Sequence, residues 1–375
     1  MTFVTIPHSH GPYGLMLDVQ EPLLASLSLV LLALACYLFW PGVALCYHLV
    51  RAGASSLTRP AGLTPSLPAS PCAAPEPRTV RKLTLLDAPD HPRRLLSRLA
   101  RQIKLHARSL LHPHQTRRWL DFWNMTSTHA ALAVASPRLL HKIYRPYQSL
   151  RLRRPERLEI LTSHYDFIIR RGLAPLVLQA AHQHIPIGQF QGKSGDTYEV
   201  RLAAMDNLDH EGELILHLYR DEQHLFSTAF TICRQHQGWI VRLGCIQGSR
   251  AADSREQIRR ATRDMFGLRP KSLMIRLVRA IGAGYGCQRV LLVGNGNRVT
   301  NRRGKRDHVH ADYDAFWQEI GAARRSDGDY ELPCEEALTD INALPSRKRA
   351  EARQRLALTQ LVAHQVRRML VRNGS

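Results

Sequence analysis

Between Thr197 and Ile246 the apolar side chains fall at every second position, in four short runs: TYEVRLAAM (197–205), ELILHLYR (213–220), HLFSTAFTICR (224–234) and GWIVRLGCI (238–246). A period of two sends alternate side chains to opposite faces of an extended strand, as Tyr198, Val200 and Leu202 alternate with Glu199 and Arg201. The links DNLDHEG, DEQ and QHQ are short and polar. Parallel strands need a crossover of about a dozen residues or more, so these runs pair as an antiparallel meander.

Around the meander the period returns to that of a helix. Residues 115–190 are predicted to be mainly helical, broken at Pro137, Pro146, Pro155 and Pro175, with helices over Leu158–Arg171 and after Pro175. After the meander, Asp253 and Glu256 have capping-box spacing ahead of a helix that Gly267–Pro270 ends. A second helix (KSLMIRLVRAIGAGY), an apolar strand (QRVLLVGN, 288–295), a helix (DYDAFWQEIG, 312–321) and a short strand (DYELP, 329–333) follow. The expected fold class is α+β, with a central, mainly antiparallel sheet flanked by helices.

The two ends of the chain read differently. Residues 1–22 are a short tail without Lys or Arg, and residues 23–50 contain no charged side chain, enough for the roughly 20 residues a spanning helix needs. Arg51, Arg59, Arg78, Arg81 and Lys82 all follow that stretch, which predicts a single-pass inner-membrane helix with the C-terminal domain cytoplasmic. Seven scattered cysteines with no C-x-x-C pair agree with a reducing compartment and argue against a disulfide framework or structural zinc. Residues 51–92 are a Pro/Ala-rich linker, residues 93–345 the α+β domain, and residues 346–375 a basic amphipathic helix. Within that domain RRLLSRLARQIKLHARSLLH (93–112) reads as a basic amphipathic helix, suited either to anionic lipid or to packing on the domain. Fifty-two Lys and Arg against 31 Asp and Glu give a net charge of +21, which implies an anionic partner: anionic lipid, a polyanionic substrate or nucleic acid.

The segments IYRPYQSL (143–150), RPERLEILTSHYDF (154–167), GKSGDTYEVRL (192–202), GELILHLYRDE (212–222), LGCIQGSR (243–250), GLRPKSLMIRLVRA (267–280), RVLLVGNGNRV (289–299), YDAFWQEIGA (313–322) and DGDYELP (327–333) resemble the VirK/YbjX-like family of bacterial proteins over about residues 115–345. The resemblance implies a part in cell-envelope function, virulence or resistance to cationic antimicrobial peptides, with lipid A acylation phenotypes in some members and a DNA-damage response in one branch. It supplies no catalytic residues. The membrane helix, the linker and the C-terminal helix lie outside it.

The element order is also similar to that of GNAT-type N-acyltransferases, in which the loop after the central strand holds an acyl-CoA pyrophosphate on backbone N–H groups at a helix N-terminus. Here that loop is Gln247, Gly248, Ser249 and Arg250, with Arg250 where the usual loop has its middle Gly. Asn295, after the strand QRVLLVG, is expected to line the same cleft. Tyr313 is the candidate general acid for a leaving thiolate, and Asp314 or Glu319 the base. Phe316 and Trp317 read as core, and His164, Tyr165 and Asp166 as packing between helices. Gly282, Gly284 and Gly286 end a helix and precede a strand, the reverse of a dinucleotide loop. Arg302, Arg303, Lys305 and Arg306 form a basic loop, and His308 with His310 lacks a third ligand, so no metal is expected.

Three functions stay open: acyl transfer from a thioester such as acyl-CoA, a non-catalytic adaptor recruiting envelope or secretion proteins at the membrane, and a nucleic-acid-linked stress protein. No zinc-finger or ribonucleoprotein motif supports the third.

Overall fold

The computed structural model describes residues 82–87 and 95–371, apart from Pro137, Asp206, Gln237, 304–310 and 337–339. All of these lie in the unit Arg78–Ser375. The predicted membrane helix, most of the linker, and His308 with His310 lie outside the described residues. Among the described residues no helix is long and apolar enough to cross a membrane.

Helices α1 (Leu95–Leu111), α2 (Pro113–Trp123), α3 (Ser127–Ala135), α4 (Arg154–Arg170) and α5 (Ala174–Ala180) precede the sheet. Pro155 and Pro175 fall in the first turn of α4 and α5, as expected, and Pro113 does the same in α2; there the missing N–H costs no helical bond. The meander then forms as β2 (Thr197–Ala204), β3 (Leu214–Arg220), β4 (Gln223–Gln235) and β5 (Gly238–Gly248), each antiparallel to the next.

Helix was expected through residue 190, but Ile185–Gln191 is a further strand, β1, antiparallel to β2. Pro186 and Gly188 hide it from a periodicity reading. Both are tolerable because β1 is an edge strand, and the register slips between them. The long C-terminal helix α9 (Ser346–Val371) comes close at Gly188, where an added Cβ would lie 3.2 Å from Val366 Cγ2 and 3.4 Å from Val362 Cγ1.

After β5 come α6 (Ser254–Asp264), α7 (Pro270–Gly284), β6 (Arg289–Leu292), α8 (Tyr313–Glu319), β7 (Ala323–Arg324) and β8 (Tyr330–Pro333). The eight strands form one sheet in the order β1-β2-β3-β4-β5-β6-β8-β7. Every pairing is antiparallel except β5 with β6. The expected Asp253–Glu256 capping box does not form. Asp253 caps no N–H and instead accepts from the Gln257 side chain at 2.8 Å. α7 does end at these glycines: Gly286, just beyond it, sits at φ +73°, while Gly282, in its last turn, lies so close to Val241 and Cys334 that a Cβ would fall within 2.8 Å of both.

α7 packs on β4 and β5, and α9 packs on α7 and β1, closing the main core. Phe316 and Trp317 belong to that core. On the opposite face Ala203, Ile215, Ala229 and Cys245 form a small apolar patch beneath Leu208 of the β2–β3 link. That link lies directly on the sheet, since a Cβ on Gly244 would stand 2.1 Å from the Glu211 carbonyl oxygen.

Candidate functional site

The parallel pairing of β5 and β6 is brief. It joins Val241, Arg242 and Leu243 to Val290, Leu291 and Leu292, and the Val293 N–H makes a last bond to the Leu243 carbonyl. β5 runs on to Gly248, whereas the other chain turns at Gly294 into a 3-10 turn over Asn295–Asn297. Two strands that start as neighbours thus part into a fork, and β5 carries a bulge at Gly244 just before it opens.

A strand edge left without a partner exposes backbone donors and acceptors that must be satisfied. Tyr313, from the first turn of α8, does this at Ile246. Its hydroxyl accepts the Ile246 N–H at 2.9 Å and donates to the Ile246 carbonyl at 2.7 Å. Arg298 lies 3.9 Å from the centre of the Tyr313 ring, and Trp317 meets its edge. Tyr313 is 2% exposed. Burial, reinforced by Cys245 and Glu211, pushes its phenol well above the ordinary value, so it holds its proton at neutral pH.

Asn295 ties this helix to the fork. Its side-chain oxygen accepts the Tyr313 N–H at 2.9 Å, its side-chain NH₂ donates to Asp312 at 2.7 Å, and its backbone N–H donates to Asp314 Oδ1 at 2.8 Å. Asn295 therefore meets Tyr313 and Asp314, 18 and 19 positions further along the chain. Asp314 serves here as an acceptor for backbone, and Glu319 is paired with Arg269 instead.

Gln247 and Gly248 are the last residues of β5, opposite Ser227 and Phe226. The Ser249 N–H donates to the Leu225 carbonyl at 2.9 Å, and Ser249 Oγ accepts the Ala251 N–H at 3.2 Å. The Ser249 amide of the expected phosphate loop, and the Ala251 amide just after it, are therefore already engaged. Arg250 is exposed ahead of α6.

The sequence reading missed three contributors. Glu211 is 7% exposed, and burial raises its carboxyl despite Cys245, Arg298 and Arg250 nearby. Cys245 lies 3.7 Å from the Tyr313 hydroxyl, and burial beside Glu211 raises its thiol well above the usual range. Arg298 is the third. Glu211 sat in what read as a plain connection, and Cys245 among scattered thiols. A fold contact brings them together, and no local spacing announces it. A separate polar group lies on β3 and β4, where His217 Nδ1 and His224 Nε2 share Ser227 Oγ at 2.8 and 2.7 Å and His184 stacks on His217. Among the described residues no His, Cys, Asp or Glu group is arranged to hold a metal ion.

Residues 94–368 match the family described as "Protein of unknown function (DUF535)". The chain belongs to that family. It is 27% identical to the uncharacterized protein YbjX of Escherichia coli (strain K12), over 71% of this chain and 82% of that one. It is 21% identical to an uncharacterized protein of Haemophilus influenzae, over 74% and 93%. The YbjX/VirK-like assignment therefore stands, and the family's span takes in most of α9, which the sequence motifs had left outside. Two mutants of a cAMP-binding acyltransferase from Mycobacterium smegmatis are weakly similar in structure, each with a TM-score of 0.25 at 12% and 11% identity. They cover 52% and 56% of this chain, and this chain spans only 60% and 61% of theirs.

Proposed function

We propose that the fork between β5 and β6 is an acyl-donor site, and that the protein moves an acyl group from a thioester such as acyl-CoA to an envelope-related acceptor at the inner membrane. One observation carries this: the pairing stops at Leu243 while β5 continues, leaving the Ile246 N–H and carbonyl facing a gap that one tyrosine hydroxyl fills. An amide of the donor's pantetheine arm has the same donor and acceptor groups and would take up that edge. The helix-and-strand order resembles the GNAT arrangement, with one extra antiparallel strand and two helices rather than one between β5 and β6.

In the proposed reaction the acceptor's nitrogen or oxygen bonds to the acyl carbon and the carbon–sulfur bond breaks. Glu211, rather than the Asp314 expected from the sequence, would take the acceptor's proton, and Tyr313 would protonate the departing thiolate. With the Ser249 and Ala251 amides in use, Arg250 and the first turn of α6 are left for the donor phosphates.

Calorimetry on the full-length chain tests this reading. Saturable binding of CoA and a medium-chain acyl-CoA is expected, weakened about tenfold by Arg250→Gln. If neither compound binds, the reading falls.

The adaptor reading has its own support in α1, where Ile103, Leu110 and Leu111 are 51%, 79% and 72% exposed beside the exposed Lys104. A basic helix with uncovered apolar side chains suits an anionic membrane surface. Sedimentation with vesicles that is indifferent to lipid charge would remove that support.

A further inference from the structure

A cavity of about 260 Å³ lies between the start of α7, the 3-10 turn Ile341–Ala343 and α9. Its lining divides by chemistry. Leu268, Ile341, Leu344 and Leu356 supply apolar surface, and Arg269, Arg276 and Arg355 supply guanidinium groups. Two of these arginines have counter-charges: Arg269 pairs with Glu319, and Arg276 faces Glu336 at 3.7 Å. Arg355 has no carboxylate partner among the described residues.

The backbone keeps the space in front of Arg355 clear. Gly267 takes a left-handed conformation at φ +77°, which side chains resist, and an added Cβ would stand 3.4 Å from Arg355 Nη1. Three guanidiniums and an apolar floor in one small cavity define a ligand with two parts. Guanidinium recognises phosphate through paired N–H donors, whereas the four aliphatic side chains gain from covering hydrocarbon. The volume falls just below the roughly 300 Å³ at which pockets for drug-sized molecules begin, which suits a headgroup with the first few carbons of its chain.

We infer that this cavity binds an anionic amphiphile, a phosphate ester carrying an aliphatic chain, with Arg355 as the principal charge contact. The cavity is built from different elements than the β5–β6 fork, so the inference does not depend on acyl transfer.

The probe is decyl phosphate below its micellar concentration, titrated into the full-length chain, with inorganic phosphate and decanol as half-ligands. Decyl phosphate is expected to bind saturably at one site, at least about tenfold tighter than either half-ligand. Arg355→Gln should weaken it about tenfold, and Arg353→Gln, an exposed neighbour on the same helix, should change it less than about twofold. Vesicles of phosphatidylcholine with and without phosphatidylglycerol identify the source. An Arg355-dependent gain on the anionic vesicles means a bilayer lipid, and binding of free decyl phosphate alone means a soluble ester. Equal binding of decyl phosphate and inorganic phosphate, or equal losses in the two arginine variants, overturns the inference.

Discussion

His164 is fully buried, and its Nδ1–H donates to the Ile232 carbonyl at 3.0 Å. Burial, only partly offset by Glu213 and that hydrogen bond, lowers its pKa to about 4 from 6.5. The unfolded chain therefore binds this proton more readily than the folded one. The stabilisation is complete above pH 6.5 and drains away as pH falls toward 4. Urea midpoints at pH 7 and pH 5 should differ clearly for the natural chain, and His164→Gln should flatten that difference. Next to it, the Lys142 ammonium meets Glu213 at 2.6 Å with both side chains 1% exposed, and Tyr165 donates to the other Glu213 oxygen at 2.5 Å. Burial alone would raise the Glu213 carboxyl, but Lys142, His164 and Tyr165 together hold it below its usual value. Removing one charge strands the other, so Lys142→Met should cost about 3–5 kcal/mol in denaturant melts. Lys142→Met with Glu213→Gln should recover much of that loss. His164 and Tyr165 could be read from the sequence as packing residues, but their partner Glu213 could not, because Lys142 and Glu213 are 71 positions apart.

At the scale of elements, the proposed site depends on the β2–β3 link lying across the β5 bulge. Gly244 permits this contact, and a methyl group there would sit 2.1 Å from backbone. Gly244→Ala should destabilise the fold by about 1–3 kcal/mol, the usual cost of overpacking. It should also displace Glu211 and Cys245 from Tyr313, seen as faster hydrogen exchange at the Ile246 amide. The meander was legible because period-two runs with short links admit one local pairing. β1 was not, because its edge position and its cover by α9 matter more than the propensities of Pro186 and Gly188. The helix before Gly267 was found in place, but its expected cap was not, since Asp253 turned to Gln257 instead.

Over the whole molecule the net charge is +21, and part of it sits on α9, whose other face is buried. α9 buries Ala352, Leu358, Val362, Val366 and Leu370 while Arg347, Lys348, Arg353, Arg367 and Arg368 stay exposed. Docking thus settles where its apolar stripe goes and leaves a cationic surface exposed. The sequence by itself determined the fold class, the meander, most helix positions and the family, because periodicity, proline and turn chemistry act over a few residues. Only the tertiary structure decided that β5 and β6 part after three residue pairs, that Tyr313 closes the gap, and that Glu211 and Cys245 stand behind it. Those contacts join residues about 30 to 100 positions apart, and they are fixed by how the sheet and its covering segments pack.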